Sequence, residues 1–118
     1  METLSYKSCY SDEVYELAFE VASYAANNNV AVTAYCKSED GDFWEPFCDL
    51  TVNVDKLPDG CACIHTNHWA DAEVFIQKND LGKPTGMCLH SGFCDFPVYS
   101  LNLDKIRRYQ LTEEETEF

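Results

Sequence analysis

The chain has 118 residues, 46% hydrophobic and 14% aromatic: enough apolar material for one core, and too little length for two. Its 21 acidic residues against 8 basic ones give a net charge of −13, which opposes nonspecific binding to DNA, RNA or anionic membrane and favours a basic protein partner. Glu2, Lys7, Asp12, Glu13, Glu16 and Glu20 interrupt any apolar signal segment, and no run approaches the roughly 18 apolar residues of a membrane span. The expectation is an intracellular, cytoplasmic protein whose seven cysteines are thiols, so that clustered Cys and His point to metal or redox chemistry rather than disulfides.

In chain order, Ser11 predicts the N-cap of a helix over 12–27, with Val14, Leu17, Ala18, Val21 and Ala25 at helical spacing on one side. Asp12, Glu13, Glu16 and Glu20 project from the opposite arc. The asparagines at 27–29 end this helix, and VAVTAYC (30–36) follows as a strand. SEDGD (38–42) reads as a hairpin turn. In CDLTVNV (48–54), Cys48, Leu50, Val52 and Val54 alternate with polar residues as on a half-buried strand. LPDG (57–60) is a turn, and a further strand covers 61–66. Trp69 to Lys78 predicts a short second helix, and Lys83 to Asp95 a glycine-containing loop. VYSLNL (98–103) is the last strand, before a disordered acidic tail from about 110. The order α-β-β-β-α-β predicts a single α+β domain over 1–118, a mainly antiparallel sheet of about four strands with two helices.

Two segments concentrate metal-ligating side chains, CACIHTNH (61–68) and MCLHSGFC (87–94). On a strand, alternation puts Cys61, Cys63 and His65 on one face and Ala62, Ile64 and Thr66 on the other. Cys63 with His65, and Cys88 with His90, form two C-x-H pairs that together match a tetrahedral Cys2His2 zinc site, with Cys61, His68 and Cys94 in reserve. A structural zinc there would pin the glycine-rich 82–95 segment and contribute folding free energy directly. The competing reading makes the thiols small buried hydrophobes with the histidines on the surface. Cys9, Cys36 and Cys48 stand apart and read as core thiols.

Catalytic signatures are missing from the sequence. A zinc deaminase needs His-x-Glu and Pro-Cys-x-x-Cys, whereas His65 is followed by Thr66 and Asn67. No phosphate-binding or dinucleotide glycine loop occurs, and no enzyme is predicted.

On the predicted first helix, Asp12, Glu16 and Glu20 would recur at about 6 Å per step, a coarse imitation of a phosphate row, since each strand of duplex DNA shows one phosphate per roughly 3.4 Å of helix axis. Glu39, Asp40, Asp42 and Glu45 in the hairpin would extend the row; the plainer alternative is a solvated helix face. The stretch YELAFEVASYAANNNVAVTAYCKSEDGDFWEPFCDLTVNV, with LGKPTG, SGFC and PVYSLNL, resembles a family of small proteins of phages and conjugative elements of Gram-positive bacteria, across residues 10–104. Within that group the chain is similar to type II-A anti-CRISPR proteins. The resemblance implies a non-enzymatic inhibitor that binds Cas9 or its guide-RNA complex and hinders target-DNA loading. It carries over no catalytic residue, and the doubled C-x-H is not part of its pattern. The alternative is a zinc-stabilised interaction module serving another step of element transfer, such as anti-restriction.

Overall fold

The structure, a computed structural model, describes residues 2–7, 13–37 and 43–111. Among these residues the order is β1 (Leu4–Lys7), β2 (Val14–Ser23), β3 (Val30–Lys37), β4 (Trp44–Asp49), β5 (Thr51–Val52), β6 (Cys61–Ile64), α1 (Ala72–Lys78), β7 (Gly82–Ser91), β8 (Cys94–Leu101) and α2 (Leu103–Arg107). The predicted α+β order α-β-β-β-α-β is therefore wrong. The protein is mostly antiparallel β, in two four-stranded sheets ordered β1-β2-β3-β4 and β5-β6-β8-β7.

The largest correction is at the N-terminal segment, where β2 replaces the predicted helix over 12–27. Two periodicities compete in VYELAFEVAS. The helical one gathers Val14, Leu17, Ala18 and Val21, but strands alternate, and alternation gathers Tyr15, Leu17, Phe19 and Val21. The second set holds both aromatics. Leu17 and Phe19 are fully buried, and Tyr15 and Val21 pack on the same core. Each fully buried side chain of this size stabilises by about 1.5–3 kcal/mol, and aromatic and β-branched residues fit a pleated surface well.

The run 48–54 is not one strand either. β4 ends at Asp49, and the chain passes at Leu50 from the first sheet to the second. The Leu50 amide bonds to Val32 O at 3.0 Å, and its carbonyl accepts from the His65 amide at 2.9 Å. Leu50 accordingly sits in the main core, whereas Val52 and Val54 pack into a second cluster. The strand predicted over 61–66 stops at Ile64, and the predicted helix begins at Ala72 rather than Trp69.

The predicted loop over 83–95 is a β-hairpin, β7 with β8, interrupted by a bulge between Pro84 and Cys88. Thr85 Oγ1 fills the bulge by donating to Val98 O at 2.8 Å. Gly82 lets the strands close up: a Cβ there would lie 2.8 Å from Ser100 O. Most of β7 is exposed, so few apolar residues mark it in the sequence. The last strand, expected at 98–103, starts at Cys94, and Leu103 already belongs to α2. The tail expected to fray from about 110 is still docked at its start: the Leu111 amide bonds to Phe19 O, and Gln110 bridges Phe19 in parallel.

The inner faces of the two sheets enclose the main core. Leu17, Phe19, Val32 and Ala34 come from the first sheet, and Ala62, Ile64, Tyr99 and Leu101 from the second. Phe75 and Ile76 of α1 and Ile106 of α2 pack into the same cluster. No helix among the described residues is long and apolar enough to cross a membrane.

Candidate interaction surface

Strand alternation decides which acids share a surface. On the outer face of the first sheet, β2 presents Glu16, Ala18 and Glu20, while β3 presents Thr33 and Tyr35 opposite Glu20 and Ala18. Asp49 of β4 pairs with Thr33, which places Glu20, Thr33 and Asp49 in one row across three strands. Thr33 Oγ1 donates to the Asp49 carboxylate at 3.2 Å. Tyr35 stands beside this row, and burial first, then the charges of Glu20 and Asp49, raise its phenol above the usual value. Trp44, Ala18 and Leu111 form a small buried cluster with Tyr35 on the same face.

Of the acids singled out in the sequence, Glu16 and Glu20 do lie together here. Their four-residue separation on an extended strand spans about 13 Å, twice the helical value. Glu45 pairs with Cys36, on the other parity, and borders an open cleft of about 620 Å³ at the end of the sheet with Glu13, Glu16, Tyr15 and Lys37. The Glu13 carboxylate accepts a hydrogen bond from the Tyr15 hydroxyl, which raises the Tyr15 pKa. Asp12, Glu39, Asp40 and Asp42 lie outside the described residues. Asp49 belongs to this face although it is not among the acids of the predicted helix and hairpin; its signal in the sequence is the alternation in CDLTVNV, which puts Asp49 on the opposite side from Cys48 and Leu50. Glu16, Glu20 and Asp49 have no Lys, Arg or His ion-pair partner among the described residues, where the pairs are His90–Asp95 and Arg108–Glu2.

The proposed zinc ligands are divided by the second sheet. Cys61 and Cys63 pair with Ser100 and Val98, and face a second apolar cluster with Phe96, Val98, Leu57 and Leu89. His65 continues on that side, its ring 5.7 Å from Phe96 and 5.3 Å from His68. The alternation expected for Cys61, Cys63 and His65 is thus present. Cys88 and His90, however, pair with Pro97 and Asp95, whose side chains alternate to the opposite face. His90 Nδ1 is engaged with the Asp95 carboxylate at 2.6 Å.

Burial raises the Cys63 thiol, with smaller effects from Asp55 and Cys88. Cys88 is therefore within electrostatic reach, but the pleat points the two sulfurs apart. Among the reserve residues, Cys94 packs in the Cys63 cluster while His68 is exposed. Among the described residues no group of three or more His, Cys, Asp or Glu side chains converges on one point. The set Cys63, His65, Cys88 and His90 does not fit a tetrahedral zinc site in this arrangement. Cys36 and Cys48 do pack with the main core, Cys36 buried and Cys48 half-buried, and Cys9 lies outside the described residues.

No curated protein and no solved structure matches the chain. Residues 18–117 match a family model described as a domain of unknown function, DUF4313. The match takes in Glu20 and Asp49 and all of the second sheet, and begins two residues after Glu16. Spanning most of the sequence, it establishes that the chain belongs to the DUF4313 family.

Proposed function

We propose that this is a non-enzymatic, cytoplasmic binding protein that covers a basic nucleic-acid-binding surface of a Cas9 nuclease and hinders target-DNA loading. The observation that carries the binding role is the outer face of the first sheet, where Glu16, Glu20 and Asp49 stand without cationic partners among the described residues in a chain of charge −13. The choice of Cas9 rests on the resemblance to type II-A anti-CRISPR proteins.

The strand geometry changes how such a face would work. Neighbouring strands lie about 4.8 Å apart, so Glu20 and Asp49, two strands apart, are separated by about 10 Å. Carboxylates about 10–13 Å apart are spaced more widely than the successive charges of a DNA strand, which rise by about 3.4 Å each along the helix axis. They act as separate receptors for individual lysines and arginines, while Thr33 and Tyr35 add hydrogen-bonding groups between them. This mode of binding involves no metal and no reacting group. Charge steering of this kind speeds association and weakens with salt, since the Debye length is about 10 Å at 0.1 M.

The test is competition with target DNA for a Cas9–guide complex at two salt concentrations. Charge reversal of Glu16, Glu20 and Asp49 together is expected to slow association at least tenfold at low salt, while reversal of Asp80 and Asp104 changes it little. Undiminished inhibition by the triple variant overturns the acidic-face reading. Binding to a restriction enzyme with none to any Cas9 assigns the same face to another target of a mobile element.

A further inference from the structure

Beyond the acidic face, at the far end of β2, a cleft of about 240 Å³ opens between the β2–β3 turn, the loop after β5 and α2. Two of the chain's eight basic residues, Lys56 and Arg107, line it, together with Ser23, Asn28 and Asp59. In a protein with 21 acids, it is notable that neither cation makes an ion pair among the described residues. Lys56 Nζ donates instead to Asn27 O at 2.9 Å, which holds the ammonium near the turn with two N–H donors to spare.

The walls are tied together by a buried amide network. Asn29, only 6% exposed, donates through Nδ2 to Asn53 Oδ1 at 3.1 Å and Asp55 O at 2.7 Å, and its Oδ1 accepts from the Leu57 amide at 3.0 Å. Asn27 Nδ2 bonds the same Asn53 oxygen at 3.1 Å. Asn28 and Gly60 turn the two walls with φ of 61° and 80°. A site framed this way is shaped before any ligand arrives, which lowers the ordering cost of binding.

Its chemistry is mixed in a specific way. A guanidinium fork and an ammonium together suit a phosphate group. Asp59 would repel a bare anion, but it accepts hydrogen bonds from hydroxyls, as do Ser23 and Asn28. The volume falls below the roughly 300–1,000 Å³ of sites for drug-sized ligands. We propose that this cleft binds a small phosphate monoester bearing hydroxyls, of the size of a pentose phosphate, with phosphate on Arg107 and Lys56 and hydroxyls towards Asp59.

The experiment is an amide ¹H–¹⁵N titration of the full chain at constant ionic strength with ribose 5-phosphate, inorganic phosphate and ribose. Ribose 5-phosphate is expected to give saturating shifts at Ser23, Asn28 and Gly60, inorganic phosphate weaker ones, and ribose none. Arg107→Gln, at an exposed position, should keep the spectrum of the folded protein and weaken binding at least tenfold; Lys56→Gln should weaken it independently. Shifts that do not saturate, ribose acting as strongly as its phosphate, or wild-type titration of Arg107→Gln each overturn the assignment.

Discussion

Cys63 and Cys88 flank the same strand and face opposite ways, Cys63 opposite Val98 and Cys88 opposite Pro97. Cys63 is 1% exposed and its thiol is raised chiefly by burial, so both access and thiolate fraction protect it. Cys88 is exposed. Brief alkylation of the native protein followed by peptide mass mapping should label Cys88 and spare Cys63. Cys63→Ser, which buries a hydroxyl among apolar neighbours, is expected to cost about 1–3 kcal/mol in urea unfolding. Cys88→Ser should stay within about 0.5 kcal/mol. Equal losses for both, together with a chelator-sensitive midpoint, would instead place the two thiols on one metal.

His65 is expected to make stability depend on pH. Its Nδ1 is buried with no hydrogen-bond partner among the described residues. Burial first, then the charge of His68, lower its pKa below 6.5, against weaker opposing effects from Asp49 and the backbone. The unfolded chain takes up a proton at the ordinary histidine pKa while the folded chain resists it. The contribution of neutral His65 is therefore full above about pH 6.5 and is lost as pH falls from there towards the lowered folded value. Urea midpoints measured from pH 7.5 to 5 should fall more steeply for wild type than for His65→Gln. Parallel slopes would show that His65 does not carry this dependence.

Asn29 is the polar residue on which the loop after β5 hangs. Asn29→Ala leaves the Leu57 amide without its acceptor and the Asp55 carbonyl without its donor. A buried group deprived of its partner costs about 1–3 kcal/mol, so a loss of about 2–4 kcal/mol is expected on chemical denaturation. Asn28, with φ of 61°, is the internal control: Asn28→Gly relieves a left-handed backbone and should change stability by less than about 1 kcal/mol. Equal losses at both positions would assign the effect to the turn rather than to the amide network.

Legibility in the sequence followed the strength of local patterns. Strand β3 could be read because Val30, Val32, Thr33 and Tyr35 are β-branched or aromatic and the run is short, and the shared face of Cys61, Cys63 and His65 follows from strand alternation alone. In β2, Val14, Leu17, Ala18 and Val21 satisfy a helix as well as Leu17, Phe19 and Val21 satisfy a strand; the burial of Phe19, with Tyr15 packed on the core and Val14 exposed, separates the two. The β7–β8 hairpin was hidden by exposure: a strand with one covered edge needs few apolar residues, so Lys83, Pro84 and Gly86 read as loop. The acidic face needed pairing across strands, since Asp49 joins Glu20 only through Thr33, a relation between residues far apart in sequence. The cleft at Lys56 and Arg107 is of the same kind.

One contact that ties β1 to the second half of the chain joins residues 65 apart: Tyr6 OH donates to the Asp71 carboxylate at 2.5 Å. Asp71 is 7% exposed and sits at the start of α1, so the bond ties the edge of the first sheet to the helix that plugs the core. The Tyr6 ring meets Phe47, Trp69 and Phe75 edge-on at 5.3–5.8 Å, contacts that phenylalanine keeps. Tyr6→Phe thus removes a donor to a buried carboxylate while preserving the ring packing. The expected loss is about 1.5–3 kcal/mol, the range for a hydrogen bond to a charged group. Asp71→Asn retains an acceptor and should lose less. A double-mutant cycle with Tyr6→Phe and Asp71→Ala isolates the pair from the other contacts of each residue. Amide exchange should locate the effect: protection lost first along Leu4–Lys7 and the facing half of β2, with β8 unchanged. A coupling energy near zero, or exchange that rises equally in both sheets, would show that the aromatic ring rather than this hydrogen bond holds β1 in place.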